Sequence, residues 1–145
     1  KRGLTDAEFA EHVANLKELQ SLYGAKHETG AVAAAARYGA VLASHDDTTV
    51  HQVCISHSNG VGFAEFPTTF EAAEACHAHG IAVMMGAPNL IRGGSHSGNV
   101  AAKDLAEANL LDILSSDYVP SALLLSAFRL DEIRRRNPQI GGRFL

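Results

Sequence analysis

Cysteine is scarce in this 145-residue chain: only Cys54 and Cys76 occur, with no CxxC pair. That excludes a disulfide scaffold and a cysteine-based zinc finger. Long apolar runs are missing as well. None approaches the roughly 18–20 residues that a transmembrane helix needs, so no membrane partner is expected. Basic residues are outnumbered, 12 against 16 acidic ones, for a net charge of −4. A nucleic-acid binder usually carries a basic footprint instead, so no nucleic-acid partner is expected either. No signal peptide is read at the start, where Lys1-Arg2-Gly3-Leu4-Thr5-Asp6 runs straight into a polar helical pattern without an initiator Met. The expected setting is cytoplasmic. Charged residues are few at 19%, while hydrophobic residues reach 46%, the composition of a globular chain rather than a disordered one. By length alone the chain is one domain.

What is present has a rhythm. Thr5 to Tyr23 reads as an amphipathic helix, with Thr5 and Glu8 as a capping box and Phe9, Val13, Leu16, Leu19 and Leu22 at helical spacing. Gly24 is its expected stop, and a second, Ala-rich helix is expected from His27 to Tyr38. Then Gly39, Gly60 and Gly80, spaced 21 and 20 residues apart, each precede an apolar run: Ala40–Ser44, Val61–Phe66 and Ile81–Met85. Helical stretches Thr48–Ser58 and Thr69–His79 lie between them. A fourth run, Leu110–Ser115, follows a helix from Val100 to Asn109, and a last helix spans Ser121 to Arg134. This alternation predicts an α/β fold with four parallel strands. The glycines are expected at helix C′ positions, where a positive φ turns the chain toward the next strand. Residues 1–38 form a helical lead-in, 39–134 the βα units and 135–145 a loose tail.

Each strand ends in polar residues: Ser44-His45-Asp46-Asp47, Glu65-Phe66-Pro67-Thr68-Thr69, Gly86-Ala87-Pro88-Asn89 and Ser115-Ser116-Asp117-Tyr118. Ligands of parallel α/β folds bind at the carboxyl ends of strands, so these ends define one expected rim. His45 is the first metal-ligand candidate, and Asp117 can supply a carboxylate oxygen. A hydrogen-bonded structural role for His45, and N-cap roles for Asp46 and Asp47, are the competing readings. The other histidines read as packing or surface residues, with His77 and His79 placed to favour a helix dipole. Cys54, Cys76 and Met84-Met85 read as core. The stretch Gly86 to Asn99 is expected as a long loop with four glycines, Arg92, Ser95, His96 and Ser97 ahead of a helix. Such a loop suits an anion, gripped by Arg92 and backbone N–H groups, with His96 donating a hydrogen bond. A surface loop capped by Asn99 is the alternative.

Five segments together resemble one family. They are His45–Asp47, Ala64–Ala75, Met85–Asn89, Arg92–Asn99 and Leu111–Tyr118. The family is the alpha-D-ribose 1-methylphosphonate 5-triphosphate diphosphatases of the carbon–phosphorus lyase pathway, in the amidohydrolase superfamily of metal-dependent (β/α)8 barrels. The resemblance implies that the chain holds strands five to eight, the second half of a TIM barrel. A whole barrel needs roughly 250 residues. It implies a divalent metal, zinc by preference, with His45 and Asp117 as ligands and Asp117 as the catalytic residue that takes the proton of the attacking water. The substrate would be a phosphorylated sugar phosphonate, contacted by Glu65, Asn89, Arg92, Ser95, His96, Ser97 and Asn99. Glu65 departs from the histidine that many superfamily members carry there. An isolated half barrel is expected to be inactive and to self-associate as a homo-oligomer through open strand edges. Hydrolysis of a C–N bond, and non-catalytic anion binding, are the alternative functions.

Overall fold

The structure is a computed structural model that describes residues 3–95 and 97–137. It divides into two compact units, Lys1–Ala40 and Val41–Leu145.

The first unit is one helix, α1 (Asp6–Tyr38), rather than the expected two. The capping box forms as read: the Thr5 N–H donates to Glu8 Oε2 at 2.8 Å and the Glu8 N–H donates to Thr5 Oγ1 at 3.3 Å. The hydroxyl and N–H of Thr5 hold the Glu8 carboxyl below its ordinary pKa. Gly24 does not stop the helix. An interior glycine costs about 1 kcal/mol relative to alanine, which the Ala-rich flanks outweigh. The stop comes at Gly39, whose φ of 63° places it in the left-handed region.

In the second unit the strands are β1 (Leu42–His45), β2 (Val61–Glu65), β3 (Ala82–Gly86) and β4 (Ile113–Ser115). They form one parallel sheet in the order β1-β2-β3-β4. Consecutive strands adding on one side is the order of neighbours in a (β/α)8 barrel, whereas a doubly wound sheet reverses direction partway. Helices α2 (Val50–Ser58) and α3 (Phe70–Ala78) follow β1 and β2. After β3 come α4 (Ala87–Arg92) and α5 (Ala102–Glu107), and α6 (Ala122–Arg136) follows β4. Helix α4 corrects the expectation of a continuous loop after Gly86. Pro88 at the start of a helix is compatible with it, since the first-turn N–H groups have no intrahelical partner.

Two helices end in the same device. The N–H of Ile81 donates to the Cys76 carbonyl and that of Leu110 to the Leu105 carbonyl, both at 2.8 Å. Each bond spans a left-handed residue, Gly80 (φ 71°) or Asn109 (φ 59°), as in a Schellman closure. The chain is thereby delivered into the next strand. Ile81 and Leu105 are the largest fully buried side chains and pack with Val53, Val83, Cys76 and a group of alanines. Small residues on α3 and α5 let these helices lie close to the sheet. Cys54 is exposed, contrary to the core reading, because α2 buries the side holding Val53 and Ser56.

At the amino-terminal side of the sheet, Asp112 ties three elements together. Its Oδ2 accepts the Val83 N–H at 2.7 Å and lies 2.8 Å from His77 Nε2. Its own N–H donates to the Val83 carbonyl at 3.0 Å. His77 thus has a carboxylate partner that joins α3 to the sheet.

Candidate functional site

The carboxyl ends of the strands gather around a cleft of about 180 Å³. Its lining includes Asp46, Phe66, Met85, Gly86, Asn89, Arg92, Ser95, Asn99, Asp117 and Tyr118. Ligand pockets for drug-sized molecules run to about 300–1,000 Å³, so this cleft suits one small polar group rather than a whole large ligand.

Three lining residues have an unusual backbone. Asp46, Phe66 and Asp117 adopt φ values of 59°, 58° and 50° without being glycine. Each follows a strand. The left-handed region costs roughly 1–2 kcal/mol for most L-residues and less for aspartate, and such strain concentrates at functional sites. Ladder bonds hold two of them in place: Asp46 N–H donates to the Glu65 carbonyl at 3.0 Å and Phe66 N–H to the Met84 carbonyl at 2.9 Å. At Asp117 the neighbouring strand makes room instead. A Cβ built on Gly86 would lie 2.9 Å from Asp117 Oδ2. The glycine that ends β3 therefore leaves space for the carboxylate that follows β4.

The expected site residues fall into three groups. Asp117, Asn89, Arg92, Ser95 and Asn99 all line the cleft. Asn89 also has a structural task. Its Oδ1 accepts the Ala102 N–H at 2.9 Å and its Nδ2 donates to the Val100 carbonyl at 3.4 Å. Asn89, not Asn99, therefore caps α5, and that six-residue helix offers no open first N–H to an anion. The N–H groups of Gly93 and Gly94 both donate to the Asn89 carbonyl at 3.0 Å, so these two glycines end α4 rather than cradle a ligand. His45, Glu65 and Ser97 stand outside the cleft lining. The sheet register sets His45 beside Glu65 and Glu65 beside Met84, one step before the rim. His96 lies outside the described residues.

Asp46, Phe66 and Tyr118 are cleft residues that the sequence reading did not single out. Asp46 is no N-cap; Thr49 caps α2 through a capping box with Gln52. Asp47 is buried and accepts from Ser56 Oγ at 3.1 Å. The adjacency of Asp46 to His45 and of Tyr118 to Asp117 was the available signal, since strand-end neighbours share the same rim. Arg92 Nη2 donates to Tyr118 Oη at 3.1 Å across the cleft.

A resident metal is only partly accommodated. His45 Nδ1 lies 3.0 Å from Asp46 Oδ2, an arrangement that directs Nε2 outward as a ligand atom. His45 nevertheless ends one edge strand and Asp117 follows the other, and among the described residues no group of three His, Cys, Asp or Glu side chains could hold a metal ion. Zinc takes four ligands, three from protein in catalytic sites. The described residues do not fit a metal by themselves. Cys76 is no candidate nucleophile: burial, then the charge of Asp47, pushes its thiol up to about 11.

The architecture and cleft define a class: an α/β chain of consecutive βα units whose polar site, lined by an arginine and two aspartates, sits at the carboxyl rim of a parallel sheet. Over 130 residues the chain is 51% identical to alpha-D-ribose 1-methylphosphonate 5-triphosphate diphosphatase of Escherichia coli (strain K12). The match takes in 90% of this chain and 34% of that protein, so the chain spans about a third of the length of this curated relative. No protein-family model and no solved structure matches. No helix among the described residues is long and apolar enough to cross a membrane.

Proposed function

We propose that the cleft is the phosphate-binding part of a phosphohydrolase site. In this reading the whole protein hydrolyses alpha-D-ribose 1-methylphosphonate 5-triphosphate to the 5-phosphate and pyrophosphate. The observation that carries the reading is the shared cleft, which Asp117 and Arg92 both line within a small volume. The planar fork of arginine matches phosphoryl oxygens and holds the charge that gathers on them. Asp117 is the base that takes the proton of a water attacking phosphorus. Ser95 and Asn99 supply neutral polar groups to the same cleft. A divalent cation, zinc by preference, belongs to the proposal only with ligands beyond His45 and Asp117, and such a cation would lend positive charge to the phosphoryl oxygens. Glu65 and Ser97 remain proposed substrate contacts at the edge of this site. The arginine disfavours a neutral C–N substrate as the occupant of the cleft.

Calorimetric titration of the 145-residue chain with pyrophosphate tests the anion site. Measurable binding that falls at least tenfold in Arg92→Ala is the expected result. Binding that is absent, or indifferent to Arg92, removes the phosphate reading.

A second reading, self-association, is favoured by a separate observation. Strands β1 and β4 are sheet edges, and α6 exposes Leu124 (70%) and Phe128 (64%). Unpaired edges and apolar surface promote association. Light scattering of the chain is expected to show a mass of two copies or more; one copy at all concentrations counts against it.

A further inference from the structure

We propose that Tyr118 is a positioning residue that presents the Arg92 guanidinium to an anion in the cleft. The inference rests on the phosphate reading above and adds a residue to it. Arg92 is the last residue of α4, and Tyr118 follows β4 in the chain segment that turns at Asp117. Both side chains line the cleft, and both belong to exposed residues. An exposed arginine ordinarily samples many rotamers, and an anion that binds it must order the whole side chain. Here the phenol oxygen accepts the Nη2 hydrogen at 3.1 Å and fixes one edge of the guanidinium plane. The ring itself is costly to expose, at 60% of its surface, and α6 buries other residues instead. A side chain held at a polar rim with its oxygen on an arginine has a task in the cleft rather than in the core.

The position of Tyr118 explains how the turn at Asp117 serves two groups at once. A left-handed residue reverses the chain sharply, so adjacent side chains at 117 and 118 both reach the same small cleft. One contributes the carboxylate and the other aims the cation.

Four forms of the 145-residue chain test this: the wild type, Tyr118→Phe, Arg92→Ala and the double variant, each titrated with pyrophosphate. Tyr118→Phe keeps the ring and removes only the acceptor oxygen. Its affinity is expected to fall about three- to tenfold, the range set by ordering one long side chain, with an unchanged unfolding midpoint. The double variant is expected to bind no more weakly than Arg92→Ala, because Tyr118 acts through Arg92. Tyrosine emission is expected to change on titration in the wild type and to lose that change in Tyr118→Phe, with Tyr23 and Tyr38 left as the background. Unchanged affinity in Tyr118→Phe, with binding still lost in Arg92→Ala, overturns the positioning role and leaves the anion site standing. Additive losses in the double variant overturn it too, since Tyr118 would then touch the anion itself. Absence of binding in the wild type, or binding that ignores Arg92, sinks the anion site and this inference with it.

Discussion

Asp117→Asn, placed in a protein of the relative's full length, is expected to slow pyrophosphate release from the ribose triphosphate by about 10²- to 10⁴-fold. A general base contributes that much when it is poised over the attacking water, and an amide cannot take the proton. The substitution is chosen to leave the backbone alone. Asp117 sits at a φ of 50°, and asparagine is among the few residues that tolerate that region. Residue 117 is also exposed, so stability should move by less than about 0.5 kcal/mol. Loss of turnover with an unchanged unfolding midpoint would therefore report on chemistry. The same variant is expected to retain less zinc after dialysis if the carboxylate is a ligand, as proposed. Full activity would remove Asp117 from the base role, and undiminished zinc would remove it from the ligand set.

Asp112→Ala is expected to lower the stability of the α/β unit by about 2–3 kcal/mol, because it strips a buried N–H of a charged acceptor. Val83 is fully buried, and its N–H donates to the Asp112 carboxylate at 2.7 Å. In a domain of about 100 residues this corresponds to a fall in Tm of roughly 10–20 °C. His77→Ala provides the contrast. That side chain is 30% exposed, and an ion pair near the surface contributes about 0–1 kcal/mol. Thermal unfolding of the two variants separates the roles. Equal losses would mean that the imidazole, not the Val83 N–H, is the partner that matters.

The βα units were legible because glycine and apolar runs carry strong local signals. Gly39, Gly60 and Gly80 take the positive φ expected of them, and the apolar runs became parallel strands. Boundaries were less legible. Leu110 and Leu111 read as strand, yet β4 begins at Ile113, since Asp112 must first bond across to Val83. Helix α1 ran through Gly24 because a single glycine is a weak stop inside a long helix. Helix α4 was hidden by Gly86 and Pro88, residues that read as loop from sequence and as a helix start only once β3 fixes their place.

The rim was legible from the polar strand ends, but which residues would line the cleft was only partly so. Asp117 was recognisable at a strand end and Arg92 in the segment after Gly86, and both line the cleft. Glu65 and His45 were recognised at strand ends, yet they are the last residues of β2 and β1, one position short of the cleft lining. The left-handed turns at Asp46 and Phe66 make that difference, and no local pattern encodes them. Tyr118 was passed over because a tyrosine after an aspartate has no distinctive spacing; its meaning comes from an arginine 26 positions earlier in the chain.

The three left-handed residues around the cleft also set a limit on how this chain can be improved. Glycine at 46, 66 or 117 would relax the backbone and lose a side chain that the rim uses. A screen that rewards heat tolerance alone would drift toward those changes, and the survivors would be sturdier proteins with an emptied rim. Asp46, Phe66 and Asp117 hold a left-handed backbone where glycine would be at ease, so they are the positions to hold fixed in any redesign.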